Sequence, residues 1–334
     1  MELLSKENFD KATKYIKNNA DVINLAWYAY NFEGMSSDKF IDELAKYQYD
    51  NGGFGGLVYE YEYNGPTLHD TEHAFRYILY LKEKTPADHP VIQKMMKYVL
   101  LKYRADIGYW GDVLEPQVND SAHVWWWTYG EDEFKPIEDE NERIKQYDPN
   151  GHAALAAFVA LYSELVPDDL YQDIIKYPVQ KILRYYDENS PLFKKSSTDD
   201  YFNDDISVPY NMKCFQQFVA CLKDTVLADK LAKILCQHPT ACMQLDFAKW
   251  ENGYEELPCD IVVTPDSIIY PTVKDLVDES LSYLIRQQGD DGAWHLNFSF
   301  GEGEAFRKLE LAFEMHLTTL ILAELGRFGR IEKC

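Results

Sequence analysis

Two short segments carry the residue types best suited to chemistry. Asp70-Thr71-Glu72-His73 and Asp120-Ser121-Ala122-His123 share the pattern D-(S/T)-x-H and lie 50 residues apart. Aspartate and histidine at i and i+3 share one helix face. Imidazole titrates near neutral pH, and a neighbouring carboxylate orients it and raises its basicity. His152, in YDPNGHAAL, opens what reads as a further helix. Asp70, His73, Asp120, His123 and His152 are therefore candidates to converge at one end of a cavity. Two carboxylates with two or three imidazoles would also suit Zn or Fe, although no HExxH or cysteine-rich signature accompanies them. The competing reading is helix capping. Asp70 and Asp120 are good N-cap or first-turn residues, and the histidines then satisfy local polar groups. Aromatics crowd the same stretch: Trp110, Trp125, Trp126, Trp127 and Tyr129, with Trp27 and Tyr28 nearer the start. Such rings can stabilise a cation, stack on a sugar, or fill core.

The elements that must position these groups show in a repeat. Residues 288–294 read Q-G-D-D-G-A-W, residues 48–54 Q-Y-D-N-G-G-F, and residues 104–110 R-A-D-I-G-Y-W. The shared template is a long polar residue, three others, Gly, one other, then an aromatic. The long polar side chain can cap carbonyls exposed at a helix end. Glycine supplies a positive φ, and the aromatic packs back on the helix pair. Each copy then staples one hairpin to its neighbour.

Between these turns the chain reads as helix. DTEHAFRYILYLKEK, VKDLVDESLSYLIRQQ and LELAFEMHLTTLILAELG carry apolar stripes, and GHAALAAFVALYSEL is apolar nearly all round. VYEYEY alternates, as a short hairpin or extended segment would. The expectation is an all-α chain, a ring of roughly six hairpins of about 50 residues each. No boundary interrupts residues 1–334, which read as a single domain.

Bulk composition narrows the partners. The chain has 334 residues and a formal charge of −23, which repels phosphate backbones and argues against nucleic acid. No apolar run approaches the roughly 18 residues of a membrane span, and the N-terminus lacks a signal-peptide core. Six cysteines without a CxxC fit reduced thiols, so the expectation is a cytoplasmic protein. The aspartate-rich SSTDDYFNDDISVP, 196–209, reads as a solvated rim loop, with a Mg²⁺ site as the lesser alternative. No P-loop, dinucleotide fingerprint or G-x-S-x-G occurs.

The repeated Q-x-x-x-G-x-(W/F) resembles the QW-type motif of squalene-hopene cyclases, oxidosqualene cyclases and other class II terpene cyclases. Their α/α toroid is shared by the β subunits of protein prenyltransferases. The resemblance covers three copies, from residue 48 to residue 294, and implies an α/α toroid. Class II cyclases carry D-x-D-D-T at an inner helix, its third position the general acid. Aligned on the final D-(T/S), Asp70 and Asp120 keep the fourth position, while His69 and Asn119 stand at the acid position. His316 lies in a helix resembling the one that carries the prenyltransferase zinc histidine, but the D-x-C of that site is absent.

The resemblance implies an isoprenoid cyclase, or another enzyme acting on an apolar small molecule in the central cavity by acid–base chemistry. The alternatives are a sugar-active (α/α)6 epimerase, lyase or hydrolase, and a non-catalytic binding protein of the same fold. The candidate catalytic residues are His69, Asp70, His73, Asp120 and His123. Trp110, Trp126, Tyr129, His152 and His316 are the candidate substrate contacts. The cyclase reading requires no cofactor, and the histidine–aspartate set leaves room for a divalent metal.

Overall fold

Small polar side chains set the helix starts. The side-chain oxygens of Ser5, Asp21, Ser36 and Thr67 each accept a backbone N–H three residues on, and Asp139 and Asp224 cap in the same way. A computed structural model describes residues 2–130, 135–196, 208–251 and 257–332. The first seven helices are α1 (Lys6–Asn19), α2 (Val22–Phe32), α3 (Ser37–Leu44), α4 (Leu68–Leu79), α5 (Pro90–Lys102), α6 (Glu140–Gln146) and α7 (His152–Leu161). Then follow α8 (Asp168–Lys181), α9 (Pro191–Ser196), α10 (Pro209–Cys221), α11 (Thr225–Leu235), α12 (Pro258–Ile261), α13 (Tyr270–Arg286) and α14 (Glu304–Arg327). The chain is all-helical. Among the described residues there is no strand, only isolated bridges such as Tyr61 with His123 and Leu4 with Ile331.

Burial follows the sequence pattern. In α7 every residue from His152 to Ala160 is buried, as its uniform apolarity requires. It packs against α10 and α4, and α14 packs against both α1 and α2, so the last helix meets the first two. One core cluster runs from Leu4 to Leu325, and two satellites lie beside it, around Val58 and Leu114 and around Val124 and Phe300.

The repeated turns do the joining. Gln48 donates from Nε2 to Gly52 O and to Val91 O of α5, both at 3.0 Å. Gln288 donates from Nε2 to Gly292 O and to Asn8 O of α1, again both at 3.0 Å. The backbone N–H groups of Phe54 and Trp294 each meet a threonine hydroxyl, Thr71 and Thr318, at 3.0 Å. The middle copy differs: Arg104 turns back on Asp106 at 2.8 and 2.5 Å.

One expectation is corrected. The second D-(S/T)-x-H copy does not open a helix. Pro116–Asp120 is a 3-10 turn, and the chain beyond it is irregular. The Asn119 amide explains this: Oδ1 accepts from Tyr129 N at 2.8 Å and Nδ2 donates to Tyr129 O at 3.0 Å. That side chain offers the backbone a closed loop in place of a helix. Trp125, Trp126 and Trp127 therefore lie on a loop. The VYEYEY run is an extended segment that pairs with this loop through Glu62 N to Ala122 O and Val124 N to Glu60 O. The aspartate-rich segment falls almost wholly on residues 197–207, outside the described residues. No helix among the described residues is long and apolar enough to cross a membrane.

Candidate functional site

The start of α4 is locked before any chemistry is considered. Thr67 Oγ1 accepts from Asp70 N at 2.8 Å and donates to Asp70 Oδ2 at 2.6 Å. Tyr61 OH also donates to Oδ2 at 2.7 Å, and the N–H groups of Leu57 and Val58 reach Oδ1 at 2.7 and 3.1 Å. The carboxylate is fully buried and has four donors. Burial pushes its pKa up to about 6, with the hydroxyl and backbone donors pulling the other way. Each oxygen already accepts two hydrogens, so Asp70 acts as the anchor of the 57–61 segment.

One face of α4 then carries His69, Glu72, His73, Arg76 and Tyr80, at spacings that keep side chains aligned along a helix. Glu72 grips Arg76 Nε through Oε1, and its Oε2 lies 3.8 Å from His73 Nε2. The His69 and His73 rings are 4.8 Å apart, and the Trp127 ring sits 4.0 Å from His69. Burial drives His69 down to about 3 and His73 well below its usual value, and the Arg76 charge adds to both. Both imidazoles are neutral at neutral pH. Burial also raises Glu72, against the pull of Arg76. His69 Nδ1 and Glu72 Oε2 are buried without a hydrogen-bond partner. One ligand atom from each of His69, Glu72 and His73 lies within 4.8 Å of the others, so this trio could hold a metal ion.

His316 of α14 completes the group. Its Nδ1 faces Asn24 Oδ1 at 2.9 Å, and its ring lies 4.6 Å from that of Tyr59. An amide oxygen can only accept, so Nδ1 carries the hydrogen and Nε2 holds the lone pair. Asn24 is itself fixed by Asp21 Oδ1 at 2.9 Å and Tyr59 OH at 2.6 Å, and Tyr59 donates to Asp21 Oδ2 at 2.6 Å. Burial lowers His316 to about 4, with Arg76 again adding to the fall. Above the imidazoles, Trp126 and Trp127 donate to the two oxygens of Glu60 at 3.0 and 2.9 Å.

No family model, curated protein or solved structure matches the chain. Its chemistry has to be read from the residues themselves.

The other candidate residues fall elsewhere. Asp120 is exposed at the end of its 3-10 turn. His123 Nδ1 faces Ser121 O at 2.7 Å. His152 faces backbone carbonyls with both ring nitrogens, Asp148 O and Gly111 O, each at 2.8 Å. Trp110 is core, its Nε1 donating to Val99 O at 2.8 Å. Tyr129 closes the Asn119 loop. Sequence reasoning missed Glu72, Arg76, Asn24 and Tyr59. Glu72 had a signal: His69-x-x-Glu72-His73 puts three potential ligands on one helix turn, the H-x-x-E-H order.

Toward the far end of the same face lies a second polar group. Gln217 Nε2 donates to Tyr80 OH at 3.0 Å, and the Arg327 guanidinium sits over the Tyr80 ring at 5.2 Å. Glu324 is buried beside Asp260, and burial with that like charge pushes Glu324 up to about 8. A raised carboxyl stabilises the fold below its ordinary value, and that contribution is lost as pH rises through 8. Glu324→Gln mimics the protonated form. The variant is expected to gain on the wild type by about 1.4 kcal/mol per pH unit between pH 5 and 8. Urea unfolding at a series of pH values checks this, and parallel stability curves would exclude it.

Proposed function

We propose that the chain is an α/α toroid whose interior binds a hydroxylated, sugar-like small molecule and moves a proton on it. In this reading α2, α4, α7, α10, α12 and α14 form the inner ring, and α1, α3, α5, α8, α11 and α13 the outer one. Closure is supported by the packing of α14 on α1 and α2 and by Gln288 holding α1 as Gln48 holds α5.

The observation that carries the function is the polarity of the α4 face. A hydrocarbon substrate calls for an apolar chamber, because each unpaired polar group left against it costs about 1–3 kcal/mol. Here imidazoles, a carboxylate and a guanidinium stand together, His73 and Arg76 about a fifth accessible. Hydroxyl groups match such walls, and the ring faces of Trp127 and Tyr59 suit a sugar's C–H surface. His316 Nε2 is the proton acceptor, its tautomer set by Asn24. Arg76, oriented by Glu72, holds the substrate.

The isoprenoid cyclase reading draws on the same rings, which could face a carbocation. His69, at the cyclase acid position, speaks against it. With a pKa near 3 it holds no proton to give at neutral pH. The test is hydrogen exchange. Reducing sugars and sugar acids are incubated with the protein in D₂O and followed by ¹H NMR. Deuterium is expected at the carbon next to the carbonyl, at least about 100-fold more slowly with His316→Ala. Exchange with none of them, together with thermal stabilisation by an isoprenoid diphosphate, would replace this reading by the cyclase one.

A further inference from the structure

We propose that His69, Glu72 and His73 hold a divalent transition-metal ion at the start of α4. The proposal goes beyond the proton-transfer reading and does not depend on it, because the proton acceptor there is His316.

The geometry points to an ion. Two imidazoles and one carboxylate are the donors that zinc and its neighbours prefer. Three such groups at i, i+3 and i+4 occupy one turn, so a single rigid element presents them. Their ligand atoms already lie within 4.8 Å of one another. Atoms bound to one ion at roughly 2.0–2.2 Å stand closer than this, about 3–4 Å apart, so a small side-chain rotation closes the set.

The unpaired atoms give independent support. His69 is 5% exposed and Glu72 is fully buried, yet His69 Nδ1 and Glu72 Oε2 have no hydrogen-bond partner. Buried polar atoms left alone are costly, and here both belong to residues of the trio. Arg76 takes Oε1 of Glu72 and leaves Oε2 for the ion. That is the place of an outer partner, which orients a ligating carboxylate and balances charge. The Trp127 ring, 4.0 Å from His69, shields one side. Three protein ligands leave a coordination position for substrate or water, as in catalytic rather than structural sites.

The test uses the full chain, stripped with a chelator and dialysed against Zn²⁺ or Co²⁺ alone. Elemental analysis is expected to find about one tightly held ion per chain, with visible d–d bands for Co²⁺. His73→Gln and Glu72→Gln are each expected to weaken Co²⁺ binding about 100-fold, and Arg76→Gln about 10-fold. His295→Gln probes the exposed alternative, where His295 lies 3.2 Å from both Asp291 and Glu314, and is expected to leave binding unchanged. X-ray absorption on the Zn²⁺-loaded wild type reads the ligands with no variant at all, and two imidazoles are expected. No ion above the buffer blank, wild-type affinity in His73→Gln, loss in His295→Gln, or an all-oxygen shell would each overturn the proposal. None of these readouts involves a substrate, so failure of the sugar reading leaves them untouched.

Discussion

Asp70→Ala is expected to cost about 4 kcal/mol or more. The carboxylate is the common acceptor for two backbone N–H groups and two hydroxyls, all buried. Removing it leaves the two backbone N–H groups with no acceptor and the two hydroxyls to pair with each other at 3.2 Å, and each orphaned group costs about 1–3 kcal/mol. Asp70→Asn behaves differently. One amide oxygen still accepts from Leu57 and Val58, and the hydroxyls of Tyr61 and Thr67 can rotate to accept from the new NH₂. Its cost is expected to be about 1–2 kcal/mol. Urea unfolding followed by circular dichroism separates the two. The pair also decides what Asp70 does. If it is the anchor, Asp70→Asn stays folded and keeps its ligand and metal binding. If it is a proton donor, Asp70→Asn stays folded and loses turnover, because an amide transfers no proton at neutral pH. An alanine variant costing under about 1 kcal/mol would end the anchor reading, since that is the scale of one ordinary hydrogen bond.

The same residue shows how far the sequence could be read. Asp70 stood out because aspartate near a helix start is a local signal. Its four donors come from residues up to 13 positions earlier, and nothing local announces them. The helices α7, α13 and α14 were legible because an apolar stripe repeats with the helix period. The turns at Gln48 and Gln288 were legible because turn chemistry is short-range. The stretch after Asp120 was not, because Asn119 and Tyr129 close a loop that propensity cannot foresee. The polar side of α14 was hidden by its apolar one: Glu310, Glu314, His316 and Glu324 are all buried there. The partner of His316 is Asn24, 292 residues away, and that of Trp127 is Glu60, 67 residues away. Pairings of that range are set by the assembled fold alone.

The repeated turn yields the second large effect. Gly292 has φ +93°, and a Cβ there would stand 2.4 Å from the backbone carbon of Lys11 in α1. Gly52 has φ +96°, and its Cβ would stand 2.1 Å from the backbone oxygen of Lys94 in α5. The registers correspond: each glycine abuts a residue three positions beyond the one that receives the glutamine amide, Asn8 or Val91. Backbone cannot move aside as a flexible side chain can. Gly292→Ala and Gly52→Ala therefore combine left-handed strain with a clash, expected to total about 3 kcal/mol or more. Gly34 supplies the control, with φ +76° and nothing within 4 Å of its Cβ. Gly34→Ala carries the strain alone, about 1–2 kcal/mol. Equal losses in all three would mean that the close approach to α1 and α5 contributes nothing. Gly292→Ala also bears on the ring, because its turn ties the last quarter of the chain to α1. In a closed toroid, loosening that joint speeds amide exchange in α1, α2 and α14 together and lowers global stability. In an open array of hairpins each repeat contacts only its neighbours, so α1 would fray while α14 kept its protection. Hydrogen exchange on this one variant thus distinguishes a ring from a row.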